Sequence, residues 1–265
     1  MRYVRIILLH LEHVLQNRGR LFVWFLIALL NPLIYLLFWR ANLAENGGNY
    51  QGWNLSSIAS YYFLIIIASS FLEVHIEEDV AYIDIQEGAL VRYLVKPFSY
   101  FGSKFFEELP WRVVQGLCGV GIFILFQFFS RGLLKLANTP MTIVLAVLVI
   151  LLGYLISYTF KMIMGLTALW LTDYRGLQNL LEVVFFIFAG ILMPIDLYPS
   201  TLRLISTSLP FAYIIYFPVG AIQGKFLVPT LAQILLIQLI WLFCLYLVYH
   251  VIWIRGIRRF SGVGQ

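Results

Sequence analysis

Glu73–Pro110 reads EVHIEEDVAYIDIQEGALVRYLVKPFSYFGSKFFEELP. It is the one long polar interruption in an otherwise apolar chain. Six carboxylates (Glu73, Glu77, Glu78, Asp79, Asp84, Glu87) come first, and the cations Arg92, Lys96 and Lys104 follow. Ile76, Val80, Ile83, Leu90 and Leu94 recur in steps of three, four or seven, which keeps one helical face apolar. Gly88 and Pro97 terminate helices, so the stretch predicts two short helices, 75–87 and 89–96. An amphipathic polar segment this long exceeds a simple connection. It is the expected docking surface for a separate cytoplasmic protein.

Outward from that segment everything reads as membrane. The 265 residues are 62% hydrophobic and 12% charged, with a mean hydropathy of +0.88. A soluble domain is about a quarter charged. The fold class is therefore an all-α membrane protein. The net charge of +5 does not imply nucleic acid, because the cations flank apolar spans rather than populate a soluble basic domain. Cys118 and Cys244 sit in apolar spans without CxxC spacing or a His/Cys cluster, and are expected to be small core residues.

In chain order, residues 1–20 carry a Val4, Leu8, Leu11, Leu15 stripe and predict an interfacial helix. Six transmembrane helices follow at 21–39, 58–72, 111–129, 141–170, 180–193 and 231–254. The run 21–39 is too long for the apolar region of a signal peptide, and Asn31-Pro32 predicts a kink within it. The Asn/Gly-rich segment 41–57 reads as a solvated loop; its Asn54-Leu55-Ser56 matches a glycosylation acceptor only in a eukaryotic secretory route. Gly116, Gly119 and Gly121 would let a neighbour approach span 3. A brief loop is expected at 130–140 and a tight polar turn at 172–179. Residues 195–229 are too apolar for an ordinary loop, yet Pro199, Pro210, Pro218 and Pro229 forbid one helix. They predict an outer re-entrant region of two short helices, 199–209 and 211–223.

Six spans put both termini on one side. That side carries Arg2, Arg5, Arg18, Arg20, Arg92, Lys96, Lys104, Arg112, Arg175, Arg255, Arg258 and Arg259, against Arg40, Arg131, Lys135, Arg203 and Lys225 on the other. The positive-inside rule places the termini and 73–110 in the cytoplasm.

Little catalytic chemistry is legible. Gly220-Ala221-Ile222-Gln223-Gly224-Lys225-Phe226 has one residue too few between its glycines and Phe where a phosphate loop needs Ser or Thr. No metal site stands out; His10 and His13 share the interfacial helix, where solvation is the plain explanation. Lys161 in span 4 and Glu182 in span 5 are costly in a membrane. They either pair across antiparallel helices or snorkel to the interface. Phe211, Tyr213, Tyr216 and Phe217 form either an interfacial belt or the lining of an amphiphile exit.

Two segments resemble the permease subunits of type 2 ABC transporters. One is Glu87-Gly88-Ala89-Leu90 followed by Tyr93-Leu94-Val95-Lys96-Pro97, similar to the family's coupling helix after span 2. The other is Gly190-Ile191-Leu192-Met193-Pro194-Ile195, then Tyr198-Pro199 and Leu209-Pro210, similar to the exit from span 5. The chain looks most like the bacterial permeases encoded as unlike pairs beside one ATPase. The resemblance implies a second permease chain, identical or homologous, and separate ATPase chains that hold the ATP and Mg, with no cofactor in this chain. It implies a bacterial inner-membrane exporter of an amphiphilic or lipid-like substrate. It places Glu87, Gly88 and Leu90 at or beside the ATPase contact. Glu77, Glu78 and Asp84 join that contact only on the reading of the acidic face given above. A membrane-embedded lipid-modifying enzyme, or an accessory or immunity subunit of an ABC complex, are the alternatives.

Overall fold

The computed structural model describes residues 2–16, 18–45, 47–130, 139–171 and 173–260. The chain is helical almost throughout. Helix α1 (Arg2–Gln16) packs on α6 (Tyr100–Ser130), and α2 (Arg18–Glu45) runs beside α3 (Leu55–Leu72). Helix α7 (Pro140–Leu166) pairs most extensively with α11 (Val228–Ile257). Between them lie α8 (Tyr174–Phe188), α9 (Ser200–Ser208) and α10 (Tyr216–Ile222).

Among the described residues, three helical runs are long and apolar enough to cross a membrane: Leu55–Gln86, Pro140–Leu169 and Val228–Ile257. The bent pair Ser200–Ser208 and Pro210–Ile222, angled by 69°, is either a fourth crossing or a re-entrant loop. α11 leaves Leu236, Leu239, Ile240, Phe243 and Leu247 exposed on its outer faces, the pattern of a helix whose solvent is lipid.

Several boundaries differ from expectation, each for a local reason. α2 continues as helix through Asn31-Pro32 to Glu45, well beyond residue 39. The segment expected as loop 41–57 then closes into a hairpin, β1 (Asn49–Tyr50) against β2 (Trp53–Asn54). Asn54 is the cap of α3: its side chain accepts from the Ser57 amide at 2.9 Å, and Ser57 Oγ accepts from the Asn54 amide at 2.9 Å. That reciprocal box starts the helix three residues early. α6 starts at Tyr100 and takes Pro110 inside it, so the polar stretch ends about ten residues sooner than its composition suggests. The expected turn 172–179 is helix from Tyr174 onward, because Asp173 caps it by accepting from the Arg175 amide at 3.0 Å. Thr172, most of the loop 130–140 and the cations Arg131 and Lys135 lie outside the described residues. Cys118 and Cys244 are exposed on the outward faces of α6 and α11 rather than buried.

The main core is built from α3, α7 and the broken segment before α11. Tyr61 and Tyr62 donate to the carbonyls of Gly190 (2.7 Å) and Leu192 (2.8 Å), just after α8. Gly190 has φ +84°, and a Cβ there would stand 3.0 Å from the Tyr61 hydroxyl, so the turn needs glycine. Pro194 precedes a 3₁₀ turn (Ile195–Leu197), Pro199 precedes α9, and Pro210 opens a second 3₁₀ turn (Pro210–Tyr213). Gln238, fully buried on α11, donates to the carbonyls of Val149 and Tyr213, both at 2.9 Å. Broken backbone deep in the bundle is thus satisfied by protein.

A candidate docking and coupling site

Beyond Leu72 the chain makes a short helical turn, α4 (Ile76–Glu78), and then winds as a π-helix over Asp79–Gln86. A helix was expected at 75–87, but a π-wound one was not; such winding in short form marks functional positions. It ends at Gly88, φ +80°, with Leu90 N–H bonded to the Asp84 carbonyl at 2.8 Å. A final turn, α5 (Val91–Leu94), follows.

The inner face of this unit is apolar. Val74, Ile76, Val80 and Leu90 are buried against Tyr158, Met162 and Leu166 of α7 and Tyr249 of α11. Contact is closest at Gly165, where a Cβ would come within 2.6 Å of Val80 Cβ and 2.9 Å of the Glu77 carbonyl.

Three polar anchors are buried with that face. Glu77, 0% exposed, forms an ion pair through Oε1 with Lys161 Nζ of α7. Asp84, 1% exposed, accepts from Lys104 Nζ and from the Tyr100 hydroxyl, both at 2.6 Å. Burial alone would depress the Lys104 ammonium, but Asp84, Tyr93 and Glu107 outweigh it and hold it above its ordinary value. Burial, reinforced by Asp84, pushes the Tyr100 hydroxyl well up, so it stays a donor. Arg112 is the third anchor. It bonds Glu108 at 2.6 Å, the Glu73 carbonyl, and His75 Nδ1 at 3.1 Å, which fastens the end of α3 to α6.

Of the two readings open for Lys161 and Glu182, a pair between them is not formed. Lys161 is taken by Glu77, while Glu182 is exposed and accepts from Gln178 Nε2 at 3.2 Å. Gln178 also donates to Glu78 at 2.9 Å, so α8 reaches the acidic segment through an amide.

The six residues expected at the docking surface therefore divide. Glu87 and Glu78 are exposed, Gly88 is half-buried, and Glu77, Asp84 and Leu90 turn inward, the two carboxylates into ion pairs. Sequence reading missed the apolar part of the outer face: Ile83, Val91, Leu94 and Val95 are 40%, 44%, 45% and 77% exposed. The available signal was five apolar residues, Ala89, Leu90, Val91, Leu94 and Val95, between Gly88 and the Lys96-Pro97 stop, more than one inward face can use. Arg92 and Lys96 border this patch, with Glu87 at its other edge.

At the opposite end, the phosphate-loop look-alike is a packing turn. Phe226 folds over Gly220, where a Cβ would meet its ring at 2.5 Å, and Gly224 turns at φ +68°. On α1, His10 Nδ1 lies 3.0 Å from the Ile6 carbonyl; the His13 side chain lies outside the described residues.

A family model described as "ABC-2 family transporter protein" matches residues 29–264. No curated protein matches the sequence.

Proposed function

The chain belongs to the ABC-2 transporter family, and from that premise we propose that it is the permease half of an ATP-driven exporter that docks its ATPase at residues 83–96. ATP and Mg belong to the ATPase chains, and a second permease chain, identical or homologous, completes the pathway. The substrate is amphiphilic or lipid-like, and the location is the bacterial inner membrane with both termini cytoplasmic. Apolar outward faces on the long helices suit a substrate that approaches through lipid rather than through a wide aqueous pore.

The observation that carries the docking reading is the two-sided construction of the segment. Its outer face offers Val91, Leu94 and Val95 beside Glu87, an apolar centre with a charged edge, as partner contacts require. Its inner face is held to α7 and α6 by buried ion pairs and by the Gly165 contact. A rigid element with one free face converts a push from a partner into movement of the helices behind it. Glu78 and Gly88 flank the contact; Glu77, Asp84 and Leu90 transmit rather than touch.

The test is co-purification. Val95→Asp combined with Glu87→Arg alters exposed positions alone, so the chain should insert and fold as before yet lose its ATPase and ATP-dependent transport. Retention of both would remove the docking reading.

A further inference from the structure

At the end of the bundle opposite the coupling segment, the β1–β2 hairpin and the segment 195–226 converge on a cavity of about 520 Å³. That volume suits a small ligand or a lipid head group. One wall is the hairpin turn. Gln51 (φ +50°) and Gly52 (φ +85°) hold its two central positions, both left-handed, as a two-residue turn of this kind requires. Glycine is the easy occupant of such a position; Gln51 is the one described non-glycine residue with positive φ, and it lines the cavity. Strain of this kind clusters at binding sites.

The other wall carries the charges, and they cancel. Asp196 is ion-paired to Lys225 and accepts from the Tyr216 hydroxyl at 2.7 Å. Lys225 is further enclosed by aromatic rings, 5.2 Å from the centres of Trp53 and Tyr216 and 5.9 Å from Phe226. A site for an anion would leave its cation unpaired, and one for an amine would leave its carboxylate unpaired. Here the remaining polar lining is uncharged: the amides of Gln51 and Gln223 and the hydroxyl of Ser60, beside Ser56 and the Asn54–Ser57 pair that caps α3. Amides and hydroxyls both donate and accept. That mixture matches a ligand whose own groups do the same.

We propose that this cavity binds a neutral polyhydroxylated group, a sugar, presented either free or as the head of a glycolipid. Glucose and a monoglucosyl diacylglycerol are the probes, offered to the full chain in nanodiscs of sugar-free phospholipid; diacylglycerol and phosphatidylethanolamine are the controls. Gln51→Gly relieves the turn while removing the amide, so it should hold or raise the melting temperature and still weaken sugar binding by roughly three- to tenfold. Gln223→Leu should weaken it similarly. Binding of both probes, reduced by these variants, assigns the site to sugars in general; binding of the glycolipid alone assigns it to a lipid-borne sugar. Absence of binding by either probe, equal binding of the controls, or affinity unmoved by Gln51→Gly overturns the proposal. Because ATPase co-purification reads the other end of the molecule, such a failure leaves the docking reading standing.

Discussion

Lys161 of α7 and Glu77, 84 residues earlier in the chain, form an ion pair whose side chains are 4% and 0% exposed. This pair sits where the polar segment leaves the bundle. The second Glu77 oxygen is buried without a hydrogen-bond partner among the described residues. An ion pair so placed is poor value for stability alone, because desolvation consumes most of the attraction. Its position suggests a different use: it joins the docking segment to α7 at one point, and Gly165 joins it again one helical turn further on.

Removing one partner strands a buried charge. Lys161→Met should therefore destabilise the protein by about 3 kcal/mol, and Glu77→Gln by a similar amount. The double variant Glu77→Leu/Lys161→Met, apolar on both sides, should recover most of that loss while remaining slow in ATP-driven transport. Thermal unfolding in detergent, set beside transport in vesicles, separates the two effects. Recovery of transport together with stability would mean the pair serves packing only.

The contact at Gly165 makes a steric prediction. An alanine methyl there must displace Val80 or the Glu77 carbonyl, and overpacking of this kind costs about 1–3 kcal/mol. Gly165→Ala should lower the melting temperature and uncouple ATP hydrolysis from transport. Val80→Gly alone opens a void, but combined with Gly165→Ala it removes both Val80 atoms the methyl would meet, Cβ at 2.6 Å and Cγ1 at 2.7 Å. A double variant no more stable than Gly165→Ala would show that the backbone at Glu77, rather than the Val80 side chain, sets the limit.

How far these features were legible depended on whether they were local. The apolar run 141–170 reads directly as α7 with its terminal 3₁₀ turn, and the proline punctuation of 195–229 reads as two short helices with a sharp bend, because both signals lie within a few residues. The resemblance carried by Glu87–Pro97 and Gly190–Pro210 agrees with the family match. Partner choice is not local. Glu182 follows Lys161 closely in sequence, yet Glu77 takes the lysine, since register between helices is set by packing at Gly165 and Val80 that no single segment encodes. π-winding was equally hidden: apolar steps of three, four and seven suit an α-helix as well. Asp84 reads as part of the docking contact because its buried partners, Lys104 and Tyr100, lie beyond Pro97 in the sequence. Ile83 and Leu94 read as one apolar face with Ile76, Val80 and Leu90, yet both are exposed, because Leu90 and Tyr93 already fill the inner side there.

Lys104 offers a prediction in pH. The groups that face it are Asp84 at 2.6 Å, Glu107 at 3.5 Å, the Tyr93 ring at 5.0 Å, and Tyr100 through its bond to Asp84. In the native protein its pKa lies above the ordinary lysine value. A raised cationic pKa contributes stability that is complete below the unfolded value and is lost only as pH climbs through the folded one. Between about pH 7 and 9, then, Lys104 is charged in both folded and unfolded chains and adds no slope. Asp84→Asn removes the strongest partner and leaves burial dominant, which depresses the folded pKa. The unfolded chain then binds the extra proton, and stability must rise with pH over the same range. The variant should be about 3 kcal/mol weaker than the native chain near pH 7 and recover part of that loss near pH 9. Lys104→Met in the same background should abolish the recovery. Melting curves of the three proteins at the two pH values decide it; equal slopes for native and Asp84→Asn would show that Glu107 alone is enough to keep the lysine charged.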